Sequence, residues 1–581
     1  MRIVRSRSPF VRVLNLVMAI VAVLAIASLI VDIGGFDLSP DIREKLDVLN
    51  WIIVTIFVCE FFIELAIERF RLSFLRSHWL RFALVSVFLV LLAIIRYSST
   101  SPERASLLHF INISVARAYI VSAQLYILAN LLLRLASTGR RIAGVNLPAA
   151  QIVAFSFLFV ILVGTGFLLL PRATPQKISF IDALFTATSA TCVTGLIVVD
   201  TGSFFSQFGQ VVILLLIQIG GLGLMTMTAF FSLILGRGMS VKESVLMSDV
   251  LSSRTLSRVS HLIVSILTLT VIFEVLGVLA FYFSWTGVEG FEHGSLIYYS
   301  IFHSISAFCN AGFSLFRDSF VGFQGSLGHN VTLTSLIIIG GLGFTVIVNL
   351  FRFVIFKRER LSLQTKLVLT VTALLITIGT ILILATESNK SLDELPLFTR
   401  IMAAYFQSVT TRTAGFNTVN IGGLTNACYL LMMVLMFIGA SPGSTGGGIK
   451  TSTFGIFLGS VWSMLRGRDS VEMFKRNVPR DVVNKALSVI ILALMLLATF
   501  GFILLFTQKG NPVHLLFELL SAFGTVGLSA GVTPHLTVLG KAVIIMTMFI
   551  GRIGPLTLAL AVGQRRESVA YEYPDEAVMI G

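Results

Sequence analysis

The chain has 581 residues, of which 56% are hydrophobic and only 12% charged, with a formal net charge of +14. A soluble globular domain carries charge at roughly 25% of its positions, so composition excludes that class and points to a membrane protein. The basic excess does not mark a nucleic-acid partner, because it sits between apolar runs: Arg2/Arg5/Arg7/Arg12, Arg69/Arg71/Arg76/Arg81, Arg140/Arg141, Lys357/Arg358/Arg360, Arg466/Arg468/Lys475/Arg476/Arg480 and Arg565/Arg566.

If spans alternate, all these clusters fall on one face, which the positive-inside rule makes cytoplasmic. The acidic segment 31–50, with Asp32, Asp37, Asp41, Glu44 and Asp47, then faces outward. Both termini are expected in the cytoplasm, in a multi-pass protein of the plasma (inner) membrane surrounded by lipid. Residues 1–140 read as an N-terminal block of four spans near 10–32, 50–68, 79–96 and 110–135. Its opening arginines, apolar run and Ala25-Ile26-Ala27 resemble a secretory signal, but apolar residues continue through Val31 and suit an uncleaved span better. Glu60 and Glu64 share a helix face, four residues apart. The block has the shape of a voltage sensor. Its fourth span offers Arg117 and then Gln124 rather than an arginine at every third position, so a structural or assembly role is expected. Pairing of Glu60 or Glu64 with Arg117 would explain how these charges tolerate the membrane. Cys59, Cys192, Cys309 and Cys428 lack metal or redox spacing and read as small buried residues.

From residue 141 onward one unit recurs four times, over 141–240, 241–360, 361–470 and 471–563, before a tail at 564–581. Each unit has a leading span (149–170, 260–284, 365–386, 485–507), a short helix (179–191, 294–308, 397–411, 513–524) and a trailing span (208–235, 332–356, 424–462, 537–562). Between short helix and trailing span stands a phrase closed by Gly195, Gly312, Gly415 or Gly527, at intervals of 117, 103 and 112 residues. Aligned on that glycine, an aromatic residue falls ten positions earlier: Phe185, Phe302, Tyr405 and Phe517. Ser189-Ala190, Ser306-Ala307 and Ser521-Ala522 share an offset that Val409-Thr410 fills in the third copy. The fold class is therefore all-α and integral to the membrane, with four repeated units in pseudo-fourfold arrangement.

A helix of ~13 residues cannot cross ~30 Å of hydrocarbon, so the short helices must be re-entrant. Non-helical backbone at that depth persists only where it lines water or is buried in protein. Glycine tolerates positive φ, and its missing Cβ keeps an axis open. Four such strands can present a ring of carbonyls that replaces an ion's hydration shell. The candidate ion ligands, mainly backbone carbonyls, are Cys192, Val193, Thr194 and Gly195; Asn310, Ala311 and Gly312; Thr413, Ala414 and Gly415; and Thr525, Val526 and Gly527. One glycine per strand suggests fewer tight sites than a two-glycine filter. The plain alternative is a set of re-entrant packing turns.

Each trailing span repeats Ile-Gly: Ile219-Gly220, Ile339-Gly340, Ile438-Gly439 and Ile550-Gly551. In the third copy Gly439, Ala440, Ser441, Pro442, Gly443, Ser444, Thr445, Gly446, Gly447 and Gly448 follow in sequence, and so many helix breakers predict a mid-membrane break. Such a plug beneath the glycine ring is a natural gate. Close helix packing is the bland alternative, and the near-match to a phosphate loop lacks its lysine and its strand–loop–helix context. Arg552 follows Ile550-Gly551 directly. Facing the pore, its charge would act as an electrostatic latch; otherwise it would pair with a carboxylate such as Glu518 or with free carbonyls.

The phrases Cys192-Val193-Thr194-Gly195-Leu196, Asn310-Ala311-Gly312-Phe313-Ser314, Arg412-Thr413-Ala414-Gly415-Phe416-Asn417 and Gly524-Thr525-Val526-Gly527-Leu528-Ser529 resemble the four filter strands of the Trk/Ktr/HKT superfamily of cation transporters. The resemblance covers about residues 149–581 and is nearest to the bacterial Ktr-type potassium-uptake subunit, whose ending Tyr573–Gly581 also resembles. It implies a homodimer with the C-terminal tail at its interface and one pore per chain. It also implies potassium rather than sodium (from Gly195), the 439–448 loop and Arg552 as the gate, and a separate cytoplasmic nucleotide-binding subunit. That subunit would dock on the basic loops around 236–259, 357–366 and 464–482. No enzymatic constellation is present, as the histidines form no H-E-x-x-H pair, and no cofactor is expected beyond potassium as the transported ion. A channel-like uptake subunit is the favoured reading. An ion-coupled symporter driven by sodium or protons is the alternative; inverted repeats and mid-depth carboxylates would favour it.

Overall fold

A computed structural model describes residues 9–36, 39–67, 82–83, 85–90, 149–234, 259–286, 293–356, 360–468 and 470–555. Two N-terminal helices, Pro9–Gly34 and Pro40–Ile67, pack on each other around Met18, Ala25, Ile53 and Phe57. The second begins ten residues before the expected span. Glu60 is buried there, while Arg117, most of the third expected span and all of the fourth lie outside the described residues, as does the C-terminal tail. The block meets the first repeat where the Arg172 amide donates to the Gly34 carbonyl at 2.8 Å.

The leading helices of the four repeats are Ala149–Leu168, Val259–Trp285, Leu363–Glu387 and Arg480–Thr507. The short helices are Phe180–Thr191, His293–Phe308, Leu397–Thr410 and Pro512–Gly524, of 12 to 16 residues. At 1.5 Å per residue they reach roughly 18–24 Å, less than a bilayer core. Their starts are fixed locally. Ser179 caps the first through the Asp182 amide, and Asn511 with Pro512 behind it caps the fourth. Each short helix packs on its own leading helix.

The trailing helices supply the ring. That of repeat 1, Gln207–Ile234, packs on the short helix of repeat 2. Leu327–Leu342 of repeat 2 packs on the short helix of repeat 3, and Asn426–Phe437 of repeat 3 on that of repeat 4. Val538–Ile553 of repeat 4 returns to the short helix of repeat 1, where Lys541 Nζ meets Asp182 Oδ1 at 2.5 Å. The four units thus close head to tail, and buried clusters span each seam: Ile161 and Phe185 with Leu515 and Met548, for example.

Among the described residues four helices are long and apolar enough to cross a membrane by themselves: Pro40–Ile63, Val264–Trp285, Leu363–Glu387 and Arg480–Thr507. The trailing spans fall short because all of them break, not only the third. Gly223 interrupts the first with φ 71°. Gly343 (φ 90°) separates Leu327–Leu342 from Phe344–Phe356, and the two pieces are bent by 101°. Residues 438–450 separate Asn426–Phe437 from Thr451–Leu465, and Gly554 (φ 91°) ends the fourth.

One expectation needs correction, and another gains a detail. Cys192, Cys309 and Cys428 are buried, but Cys59 is exposed on the outer side of its helix. The all-α class holds, yet the basic 464–482 segment carries a small antiparallel hairpin, Val471–Met473 with Arg476–Val478. Its two-residue turn, Phe474-Lys475, has both residues at positive φ, the geometry that matches strand twist.

Candidate functional site

The four glycine phrases meet at the centre of the ring. A methyl group placed on Gly195 would stand within 3.0 Å of the Ala311 carbonyl oxygen, and one on Gly312 equally close to that of Ala414. Gly415 faces the Val526 oxygen in the same way, and Gly527 faces that of Thr194, which closes the cycle. The carbonyls just before the four glycines therefore form one closed ring, each against the glycine of the preceding repeat. Gly195, Gly312, Gly415 and Gly527 have φ 89°, 71°, 81° and 94°, where a side chain would be strained as well as clashing.

Two residues before each glycine stands a second left-handed residue that sequence reasoning missed. These are Val193 (φ 56°), Asn310 (59°), Thr413 (67°) and Thr525 (50°). Such a conformation is unusual for Asn and a genuine outlier for β-branched residues. Its fourfold recurrence means that the surrounding structure enforces it, as at sites where geometry serves function.

The serine of each phrase is what holds the loop. Ser189 Oγ accepts the Gly195 amide, and Ser521 Oγ the Gly527 amide, each at 3.1 Å. Ser306 Oγ donates to the Phe313 carbonyl at 2.7 Å. In repeat 3 the part is taken by Thr410, whose Oγ1 donates to the Phe416 carbonyl at 2.6 Å. Correspondingly, Thr194, Ala311 and Val526 donate to the carbonyl five residues back, whereas Ala414 donates to Thr410, four back. The third loop is one residue shorter. The buried ring equivalent to Phe185, Phe302 and Phe517 is thus Phe406, and Tyr405 is only half-buried. Alignment on the glycine had paired Tyr405 and Val409 with these positions; the local deletion shifts both by one.

Beneath the ring, the broken segment of repeat 3 is tied directly to repeats 2 and 4. The Ser441 and Thr445 amides donate to the Gly341 and Gly340 carbonyls, at 3.0 and 3.3 Å, and the Phe344 amide donates to Gly443. Thr445 Oγ1 donates to the Phe308 carbonyl at 3.3 Å, and the Gly447 amide to Thr525 Oγ1 at 2.9 Å. Ala440 and Gly447 pair across the loop, and Thr451 Oγ1 donates to Ser441 Oγ. A methyl group on Gly446 would strike Thr413 Oγ1, so the loop lies directly against the left-handed residues of repeats 3 and 4. Gly439 and Gly448 pack on each other, too close for any side chain. Ser444 Oγ is buried without a partner. Helix Asn426–Phe437 precedes the loop, so the strand of a phosphate-binding loop is absent here.

Arg552 joins this segment to the ring. Its guanidinium donates to the Thr445 carbonyl in the loop and to the Gly220 carbonyl in the trailing helix of repeat 1. Of the two partners considered from sequence it takes carbonyls, not Glu518. That carboxylate instead accepts from Ser529 Oγ, Thr533 Oγ1 and the Ala530 and Val532 amides, pinning the outward return of the fourth loop. Sequence reasoning also passed over Lys450, whose ammonium donates to the Gly446 carbonyl at 2.7 Å.

The chain resembles proteins of one transport class throughout this region. Residues 129–572 match the family model for TrkH, described as a cation transport protein. Ktr system potassium uptake protein B of Bacillus subtilis is 41% identical over 439 residues, covering 75% of this chain and 98% of that protein. The potassium/sodium uptake protein NtpJ of Enterococcus hirae is 38% identical over 445 residues, with the same coverage of both chains. The crystal structure of the potassium transporter TrkH from Vibrio parahaemolyticus aligns with a TM-score of 0.59 at 18% identity, covering 82% of this chain and 97% of that one. With its fourfold helical units and a family match across all of them, the chain belongs to the TrkH family of membrane cation transport proteins.

Proposed function

We propose that the protein conducts potassium into the cell through the ring of carbonyl oxygens at Thr194, Ala311, Ala414 and Val526, acting as a channel-like uptake subunit. The closed ring in which those carbonyls each lie against a neighbouring repeat's glycine carries this reading, because a ring of oxygen dipoles can replace a cation's hydration shell. The candidate filter extends over Cys192–Gly195, Asn310–Gly312, Thr413–Gly415 and Thr525–Gly527. Relatives named for potassium uptake support the choice of ion, and glycine at 195 agrees with it; one relative is named for sodium as well.

The loop 439–448 is the gate and Arg552 its latch. In the latched state the guanidinium clips the loop to Gly220 and places positive charge beneath the ring, which raises the barrier for a cation leaving the filter. Flux into proteoliposomes tests this. With Arg552→Ala, potassium flux rises above wild type and exceeds sodium flux; equal fluxes of the two ions would remove the selectivity claim. An unchanged flux would remove the latch.

The repeat units at 141–240, 241–360, 361–470 and 471–563 form one pore per chain, preceded by the 1–140 block. Two chains pair through the tail at 564–581, with both termini cytoplasmic in the inner membrane. A nucleotide-binding regulatory subunit docks on the basic loops, among which the 471–478 hairpin presents Lys475 and Arg476. One observation favours ion coupling as a second reading: Glu274, a buried carboxylate within the leading helix of repeat 2. Reversal potentials decide, since a pure potassium pore reverses at the potassium equilibrium potential whatever the sodium or proton gradient.

A further inference from the structure

Pseudo-symmetry shows where the chain has put a polar group that packing does not require. The leading helices of repeats 1, 2 and 3 each carry a glycine against a leucine of the trailing helix: Gly164 on Leu216, Gly277 on Leu336 and Gly379 on Leu435. One turn before these glycines stand Ile161, Glu274 and Ile376. The equivalence is close, for Ser304 Oγ donates to the Glu274 carbonyl at 2.7 Å as Ser408 Oγ does to that of Ile376 at 2.8 Å. Facing Glu274 is Gln218, two residues before Gly220; the same position holds Ile338, Phe437 and Phe549 in the other repeats. Isoleucine and phenylalanine satisfy this seam elsewhere, so Glu274 and Gln218 are a paired departure. An ionisable group inside a span is costly and by default functional.

Gln218 Nε2 donates to Glu274 Oε1 at 2.9 Å, and the amide's other end accepts at 3.6 Å from the thiol of Cys309, the third residue before Gly312. Among the described residues, no lysine, arginine or histidine forms an ion pair with Glu274. The groups on the elements around it are few. Gln218 comes from the trailing helix of repeat 1, and Cys309 from the end of the short helix of repeat 2. His303 and His329 lie further along, in tilted and edge-on contact with Phe281 and Trp285.

We propose that Glu274 is a proton-binding site of the transport machinery, read out through Gln218. An ionised carboxylate can only accept, which fixes the amide as seen, with its NH2 toward Glu274 and its oxygen toward Cys309. A proton taken up on the carboxylate makes an O–H donor, and its best acceptor is the Gln218 oxygen. The amide then turns over, Cys309 loses its acceptor, and the charge-assisted bond becomes a neutral, weaker one. Gln218 lies on the turn that carries the Gly220 carbonyl, where Arg552 is anchored. Proton uptake therefore loosens that anchor. This consequence for flux rests on the latch reading above; the proton site itself does not.

Potassium flux through full-length protein in proteoliposomes, with equal pH on both sides, tests the site between about pH 8 and about pH 5. Wild-type flux rises toward acid. Glu274→Gln, which fixes the neutral state, raises neutral-pH flux by about fivefold and abolishes the dependence on pH, the size expected from one weakened hydrogen bond. Glu274→Asp restores a pH response and so reports a folded, titrating site. A Glu274→Gln profile that follows wild type, or a wild type indifferent to pH, overturns the proposal; His303 and His329 remain in that variant and would be the source of any surviving dependence. If Arg552→Ala fails to raise flux while Glu274→Gln still flattens the profile, the latch reading falls and the proton site stands.

Discussion

Gly312 shows how narrowly a single position is constrained. Its φ of 71° and its contact with the Ala414 carbonyl leave no space for a methyl group. Gly312→Ala should cut potassium flux by about tenfold or more, the effect of a barrier raised by ~1.4 kcal/mol, and relax potassium over sodium in the same flux assay. Ser306 lies behind that strand and donates to Phe313. Ser306→Ala should cost ~1 kcal/mol, seen as a lower apparent melting temperature in detergent, with selectivity loosened rather than lost. The glycines were legible because no other residue does what they do. The left-handed Val193, Asn310, Thr413 and Thr525 were not, since valine and threonine ordinarily avoid that conformation and only the closed ring imposes it. Arg552 was legible as a mid-span charge, but its partners were not, because backbone carbonyls have no letter in the sequence. Glu274 was readable in its span, yet it stood out only once its apolar counterparts had been matched in space.

At the scale of elements, the helices followed from apolar run length and their caps, while the trailing spans needed a finer reading. Their breaks lie at Gly223, Gly343 and Gly554, three residues after the Ile-Gly glycine, with Gly443 four residues after it in repeat 3. This spacing is present in the sequence and went unread because only the third copy is dense in glycine. At Gly343 a methyl group would meet the Pro442 carbonyl. Gly343→Ala should therefore displace the 439–448 loop and raise potassium leak, whereas Gly322→Ala, with nothing within 4 Å, should leave flux unchanged. The one-residue deletion in the third loop is tested by stability. Phe406→Ala should cost ~3–5 kcal/mol as a buried aromatic, and Tyr405→Ala distinctly less, by comparison of thermal unfolding in one detergent.

For the whole molecule, the relatives mark out the part of the chain that is shared. Bacillus subtilis protein B is covered over 98% of its length by 75% of this chain. The N-terminal pair touches repeat 1 at Gly34 and Arg172. A chain truncated to 141–581 should retain potassium flux and its ion preference, measured in the same vesicles, if the first block serves assembly. The head-to-tail order of the repeats has a further consequence during biosynthesis. Gly195 and Thr194 emerge early, but their ring partner Gly527 belongs to the last unit made. A ribosome that stops anywhere before the fourth repeat leaves an arc without its closing contact, and without Arg552 to tie the 439–448 loop to Gly220. On the reading proposed above, the pore and the latch that shuts it are thus completed together.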